Sequence, residues 1–293
     1  MTSTPTIHSP EWFDRMYNNR ALVPDFADHF ERWKNGSLQA RQQRPCVLDV
    51  AYGDGPNETL DIFPASRANA PVVVFIHGGY WRSLDKSDHS FVAQPLLDMG
   101  ACVVVVNYAL CPGTEAVPVT VPDIALQCAR SIAWTWRHIG AHGGNRNDIS
   151  VIGHSAGGHL AAMMLACRWK ELGDDLPKDL VRRAMSISGL FDLEPVRKTP
   201  FVQGDLRLTP GQVKLASPAL WQAPKGRVLY TVVGGDESPE FLRHNELICQ
   251  AWGSKVVPVC EALPGLNHFS VVSALTDPAH RLNQLAKQLI GSA

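Results

Sequence analysis

The sequence predicts an α/β fold, with a mostly parallel central sheet covered by helices on both faces. Three observations lead there. The runs PVVVFI (71–76), CVVVVN (102–107), ISVIG (149–153) and RVLYTVV (227–233) are nearly unbroken apolar stretches. Strands that read this way are buried on both faces, as in parallel sheets. Segments of helical spacing lie between them; Ile124, Cys128, Ile132, Trp136 and Ile139 recur at about every fourth residue. Finally, 45% of the 293 residues are apolar and only 19% charged, a balance that suits a large core. A chain of this length in this class is expected to form one domain over residues 1–293.

The elements follow in order. Residues 1–45 read as an irregular arm with one short helix, in which Phe26, Phe30 and Trp33 share a face. Segments 47–52 and 59–63 flank the turn-rich GDGPNE and predict a β-hairpin. Strand 71–76 leads through HGGYWRS to a helix near 88–98, whose regularity Pro95 opposes. After strand 102–107, Pro122 opens the long amphipathic helix. Strand 149–153 precedes a helix over 156–168. Strands 184–188 and 227–233 are separated by a proline-bearing stretch without a strong period. A helix over 239–252 stops at Gly253, a last strand spans 256–263, and Asp277-Pro278 opens a helix carrying Leu282, Leu285, Leu289 and Ile290. In such sheets reactive residues gather beyond the carboxyl ends of the strands.

Composition excludes several classes. With 27 basic and 28 acidic residues and no basic run, nothing favours nucleic acid or an anionic membrane. MTSTPTIHSP lacks the layout of a secretory signal, and the aliphatic block 101–106 is too short to span a bilayer. Seven scattered cysteines without a C-x-x-C pair read as reduced thiols, which places the protein in the cytoplasm. No metal is expected: the 11 histidines include no H-E-x-x-H, and His154 and His159 are not at ligand spacing on one helix face.

Gly153-His154-Ser155-Ala156-Gly157 matches G-x-S-x-G, ends a predicted strand and opens a predicted helix. A turn that sharp pushes the serine into a strained backbone conformation and leaves no room for side chains at 153 or 157. It presents Ser155 as a nucleophile at a helix N-terminus, where backbone donors favour negative charge. A serine hydroxyl needs a base, and the base an orienting acid, in the chain order serine, acid, histidine. Asp236 in GGDESPEF, after strand 227–233, is the expected acid; Glu237 beside it and Asp192 one strand earlier are the alternatives. His268 in NHF, after the last strand, is the expected base. His244 and His280 read as surface residues of helices. Oxyanion donors are expected from Ala156 and from Gly78 and Gly79 of HGGYW, with His77 fixing that loop.

These motifs, together with SGLFDLEP (188–195), GDESPEF (235–241) and YNNR (17–20), resemble an α/β-hydrolase of the hormone-sensitive-lipase-like branch, and within it the kynurenine formamidase (arylformamidase) group. The resemblance implies an α/β-hydrolase fold and a cofactor-free, metal-independent serine hydrolase. It implies cleavage of an aryl formamide of the N-formyl-kynurenine type through a Ser155, Asp236, His268 triad, with Gly78, Gly79 and Ala156 as the oxyanion hole. The partner is then a small aromatic amide or ester, and a homodimer stays open. This fold commonly inserts a lid, here at 189–224. Tyr80 and Trp81 are expected to border the substrate, with Phe191, Phe201 and Trp221 as further candidates. A carboxylesterase for short-chain or aryl esters shares the chemistry up to the acyl-enzyme. A non-catalytic binding protein on this scaffold would be expected to lack a triad member.

Overall fold

In a computed structural model that describes residues 8–291, eight strands form one sheet. They are β1 (Val47–Ala51), β2 (Thr59–Phe63), β3 (Ala70–Ile76), β4 (Cys102–Val106), β5 (Gly144–His154), β6 (Val181–Ile187), β7 (Val228–Gly234) and β8 (Val259–Leu263), in the order β1-β2-β4-β3-β5-β6-β7-β8. The β1–β2 and β2–β4 pairs are antiparallel; every other pair is parallel.

The unbroken apolar runs have a direct physical explanation. Val72, Val74 and Ile76 of β3 face one core and Val73 and Phe75 the other, all essentially inaccessible, because successive side chains of a strand point to opposite faces. The first core is closed by the helices Val121–His138, Ala156–Ala166 and Pro239–Trp252, through Ile124, Leu160 and Phe241 among others. The second is closed by Ala93–Asp98, Arg281–Gly291 and the arm helix Phe26–Gln43, through Leu96, Leu285 and Trp33.

The strand-order reversal positions the site. The chain passes from β3 outward to β4 and then back across β3 to β5, so the carboxyl ends of β3 and β5 lie side by side, with Ile76 opposite Gly153. Ligand crevices open at such switch points. HGGYW and Ser155 therefore emerge next to each other, although 76 positions separate Gly79 from Ser155 along the chain.

Several expectations need correction. The arm is mainly helical: Pro10–Tyr17, Asn19–Leu22 and the 18-residue Phe26–Gln43 replace the single short helix; residues 1–7 lie outside the described residues. Tertiary contacts hold these helices, including Tyr80 Oη donating to the Tyr17 carbonyl at 2.6 Å and Ser238 Oγ donating to the Met16 carbonyl at 2.6 Å. The helix expected at 88–98 is regular only over Ala93–Asp98, after two 3₁₀ turns. Segment 189–224 contains three short helices, Glu194–Arg197, Pro200–Leu206 and Pro210–Leu215, each with a proline in its first turn. Runs this short leave no readable period. The last strand begins at Val259 rather than 256, and the last helix at Arg281 rather than after Pro278. No described helix is long and apolar enough to cross a membrane, and all seven cysteines are free thiols.

Candidate active site

Ser155 sits between β5 and the Ala156–Ala166 helix with φ +56° and ψ −120°, a conformation that costs a non-glycine residue about 1–3 kcal/mol. The glycines around it explain how the turn is held. A Cβ on Gly157 would lie 1.9 Å from the Ile76 carbonyl oxygen, and one on Gly153 would lie 2.1 Å from that of Gly157. The Ser155 N–H donates to the Ile187 carbonyl at 2.7 Å. The elbow is thus locked between the ends of β3 and β6, and Ser155, itself buried, lines the cavity in front of it.

His268, on the loop after β8, stands where the sequence places the base. Its Nε2 lies 3.0 Å from Ser155 Oγ, and its Nδ1 lies 2.6 Å from Glu237 Oε2. Asp236, the expected acid, is not at the site. It is exposed at the surface of the turn after β7. In that turn the Asp236 N–H donates to the Leu266 carbonyl, and the Glu237 N–H donates back to the Gly234 carbonyl at 3.2 Å. Residue 236 therefore points outward and residue 237 inward. The longer glutamate stem carries its carboxylate to the imidazole. Its other oxygen, Oε1, accepts from the Gly234 N–H at 2.8 Å and from Ser188 Oγ. The Glu237 side chain is fully buried, and that of His268 is 5% exposed. Asp192, the remaining alternative, caps its own turn by accepting from the Glu194 N–H at 3.0 Å.

The oxyanion candidates surround the nucleophile. Gly79 (φ +102°) lines the same cavity as Ser155. Gly78 packs against it, since a Cβ there would lie 2.9 Å from Ser155 Cβ. Ala156 is the first residue of the helix and fully buried. Gly79, Tyr80, Trp81 and Leu84 all have positive φ, so this loop stores strain beside the serine. His77 fixes it as expected, stacked on Tyr108 with ring centroids 4.3 Å apart and hydrogen-bonded to Gly78 O at 2.8 Å.

The cavity in front of Ser155 is narrow, with about 40 Å³ of free volume. Its walls are largely aromatic: Phe30 and Trp33 of the arm, Tyr80, Phe201 and Phe269. Tyr80 and Phe201 therefore stand where the sequence puts them. Trp81 does not. It is fully buried in the core, edge-on to His159 with centroids 4.9 Å apart, because the left-handed turn at 80–81 sends consecutive rings to different sides. Phe191 is likewise core, and Trp221 lies outside the cavity lining. Asn19, Arg20, Phe30 and Trp33 also line the cavity and carry no motif of their own; the aromatic face of the arm and the YNNR stretch are the signals the sequence offers for them. Among the described residues, no cluster of three His, Cys, Asp or Glu side chains could hold a metal ion.

Around this site His77, His89, His154, His159 and His244 are buried. The burial of His244 corrects its reading as a surface residue. It lies beneath the arm, its Nδ1 accepting from the Phe191 N–H at 3.1 Å and its Nε2 lying 3.0 Å from Tyr17 Oη. Burial lowers the pKa of all five, that of His89 to about 3 and that of His159 to about 4. For His154 the neighbouring His268 adds to the effect. In the unfolded chain such groups bind protons near pH 6.5. Between the two values the unfolded state binds more protons, so stability is fully present above about pH 6.5 and is lost as pH falls toward 4. Each histidine contributes a slope of at most about 1.4 kcal/mol per pH unit. Urea titrations should give a markedly lower unfolding free energy at pH 5 than at pH 7.5; equal values would contradict this account.

Comparisons with known proteins bear on the family and the fold. The family model described as BD-FAE matches residues 60–196. The kynurenine formamidase of Danio rerio is 31% identical over 90% of this chain and 89% of its own length. That of Salmo salar is 29% identical over 97% of this chain and 94% of its own. A solved structure from Silicibacter sp. tm1040 superposes with a TM-score of 0.79 at 29% identity, covering 94% of this chain and 97% of that one. The hyperthermophilic esterase of Pyrobaculum calidifontis shares the fold, with a TM-score of 0.68 at 20% identity, covering 89% of this chain and 92% of that one.

Proposed function

The chain belongs to the kynurenine formamidase family of α/β-hydrolases, and from that premise we propose that it is a serine hydrolase that removes the formyl group from aryl formamides of the N-formyl-kynurenine type. The observation that carries this reading is the hydrogen-bonded line Ser155–His268–Glu237 facing an aromatic cavity. Ser155 Oγ attacks the formyl carbon while His268 Nε2 takes its proton. Glu237 fixes the tautomer by accepting from Nδ1–H and stabilises the imidazolium that forms. The N–H groups of Gly79 and Ala156, with Gly78 behind them, would meet the oxygen that becomes negative, and one such donor is worth about 3 kcal/mol. The imidazolium then protonates the leaving nitrogen, freeing the aryl amine and a formyl ester on Ser155. A water, deprotonated by the same imidazole, hydrolyses that ester to formate.

A carboxylesterase is the second reading, favoured by the esterases that share the fold. The ratio of kcat/KM for N-formyl-kynurenine to that for p-nitrophenyl acetate separates the two. Efficient formamide turnover is expected, and an ester preference of more than about a thousandfold, roughly 4 kcal/mol in transition-state binding, would overturn the formamidase reading.

A further inference from the structure

The cavity wall carries a charge that formyl transfer does not use. Arg20, in the four-residue helix Asn19–Leu22, is half-buried there. Its Nη2 donates to Ser83 Oγ at 3.3 Å, and its guanidinium lies 5.8 and 5.5 Å from the ring centroids of Phe26 and Phe30. Among the described residues, no carboxylate stands within ion-pair distance of it. Arg82, a second cation at the same wall, is already neutralised: it pairs with Asp205 and stacks over Phe201 at 4.5 Å. Burial and the like charge of Arg82 both lower the Arg20 pKa, as expected of a cation without a counter-ion.

Asn19 supplies an independent observation. It is 4% exposed, lines the same cavity, and its Nδ2 has no hydrogen-bond partner. Leaving a buried amide donor unsatisfied costs about 1–3 kcal/mol. Two adjacent donor side chains thus line one cavity, the guanidinium with Ser83 Oγ as its acceptor and no carboxylate, the amide nitrogen with no acceptor at all. An acceptor arriving with the ligand would relieve both, and a guanidinium fork suits the two oxygens of a carboxylate.

We propose that Arg20 and Asn19 form a carboxylate-recognition site, so that the preferred substrates are aryl amides or esters bearing a carboxylate on the leaving group. This rests on reading the cavity as the acyl-transfer site: a formyl group carries no charge, so the anion must belong to the aryl portion.

The test is the kcat/KM ratio of a charged to a neutral substrate, 3-formamidobenzoate against formanilide, in the wild type, Arg20→Met, Arg20→Lys and Arg82→Met. The wild type should prefer the charged substrate by about tenfold or more. Arg20→Met should lower that ratio about 10- to 100-fold, the range for a charge-assisted hydrogen bond, mainly through KM. Arg20→Lys should fall between, and competitive inhibition by benzoate should weaken in step. A wild-type ratio near one, a ratio unmoved in Arg20→Met, or one that collapses only in Arg82→Met would overturn the assignment. If neither formamide is cleaved but aryl acetates are, the formamidase reading fails while 3-acetoxybenzoate against phenyl acetate reads the same ratio. If nothing is hydrolysed, calorimetric binding of benzoate to the wild type and to Arg20→Met decides.

Discussion

Ser155→Ala is expected to lower kcat by about six orders of magnitude, the scale seen when the nucleophile of a triad is removed. The substitution deletes one oxygen from a residue whose backbone is set by Gly153, Gly157 and its N–H bond to the Ile187 carbonyl, so the fold should persist. A residual rate above that in water should survive, because the cavity and the oxyanion donors remain. Turnover of an aryl formamide and of an aryl ester should fall together, and labelling by a fluorophosphonate should disappear. Activity retained within about tenfold of the wild type would mean that another group attacks the substrate.

Glu237→Gln is expected to lower kcat by roughly four orders of magnitude, while Asp236→Asn should leave it nearly unchanged. The reason is a tautomer. The oxygen of the new amide would keep the donors that Glu237 Oε1 has now, the Gly234 N–H and Ser188 Oγ. Its NH₂ would then face His268 Nδ1, now 2.6 Å from Oε2. That nitrogen would have to accept, which puts the ring proton on Nε2, facing Ser155. An imidazole so protonated cannot take the serine proton. Parallel kcat measurements on the two variants decide between the neighbours, and a large loss in Asp236→Asn with none in Glu237→Gln would refute the arrangement.

That pair also shows how far sequence reasoning reaches. The sheet was legible because strands buried on both faces must be apolar throughout, and β3 and β4 are. Ser155 was legible because its turn tolerates nothing larger than glycine at 153 and 157, and His268 because the base follows the last strand. The acid was missed by one position. Which of two adjacent carboxylates turns inward is decided by the backbone bonds of Asp236 and Glu237 to Leu266 and Gly234, and neither leaves a composition signal. Trp81 was misplaced for a similar reason, since positive φ at two consecutive non-glycine residues is unfavourable for any side chain and is imposed by the surroundings. The arm helices took their order from docking onto the body of the protein, as in the Tyr17–Glu240 and Met16–Ser238 hydrogen bonds, which no local period announces.

The arm has a consequence for how such a protein can diversify. The groups that break the bond sit at the ends of β5, β7 and β8, whereas Asn19, Arg20, Phe30 and Trp33 come from chain that precedes the first strand. On the proposed reading, selectivity and reactivity are written in separate passages of the polypeptide, and the passage governing selectivity is held on the scaffold by apolar packing through Tyr17 and Trp33 as well as by polar contacts. Within that passage Asn19 and Arg20 are the positions for retuning what is admitted, whereas Phe30 and Trp33 pack on Phe269 and His154, the neighbours of the imidazole and of the strained serine.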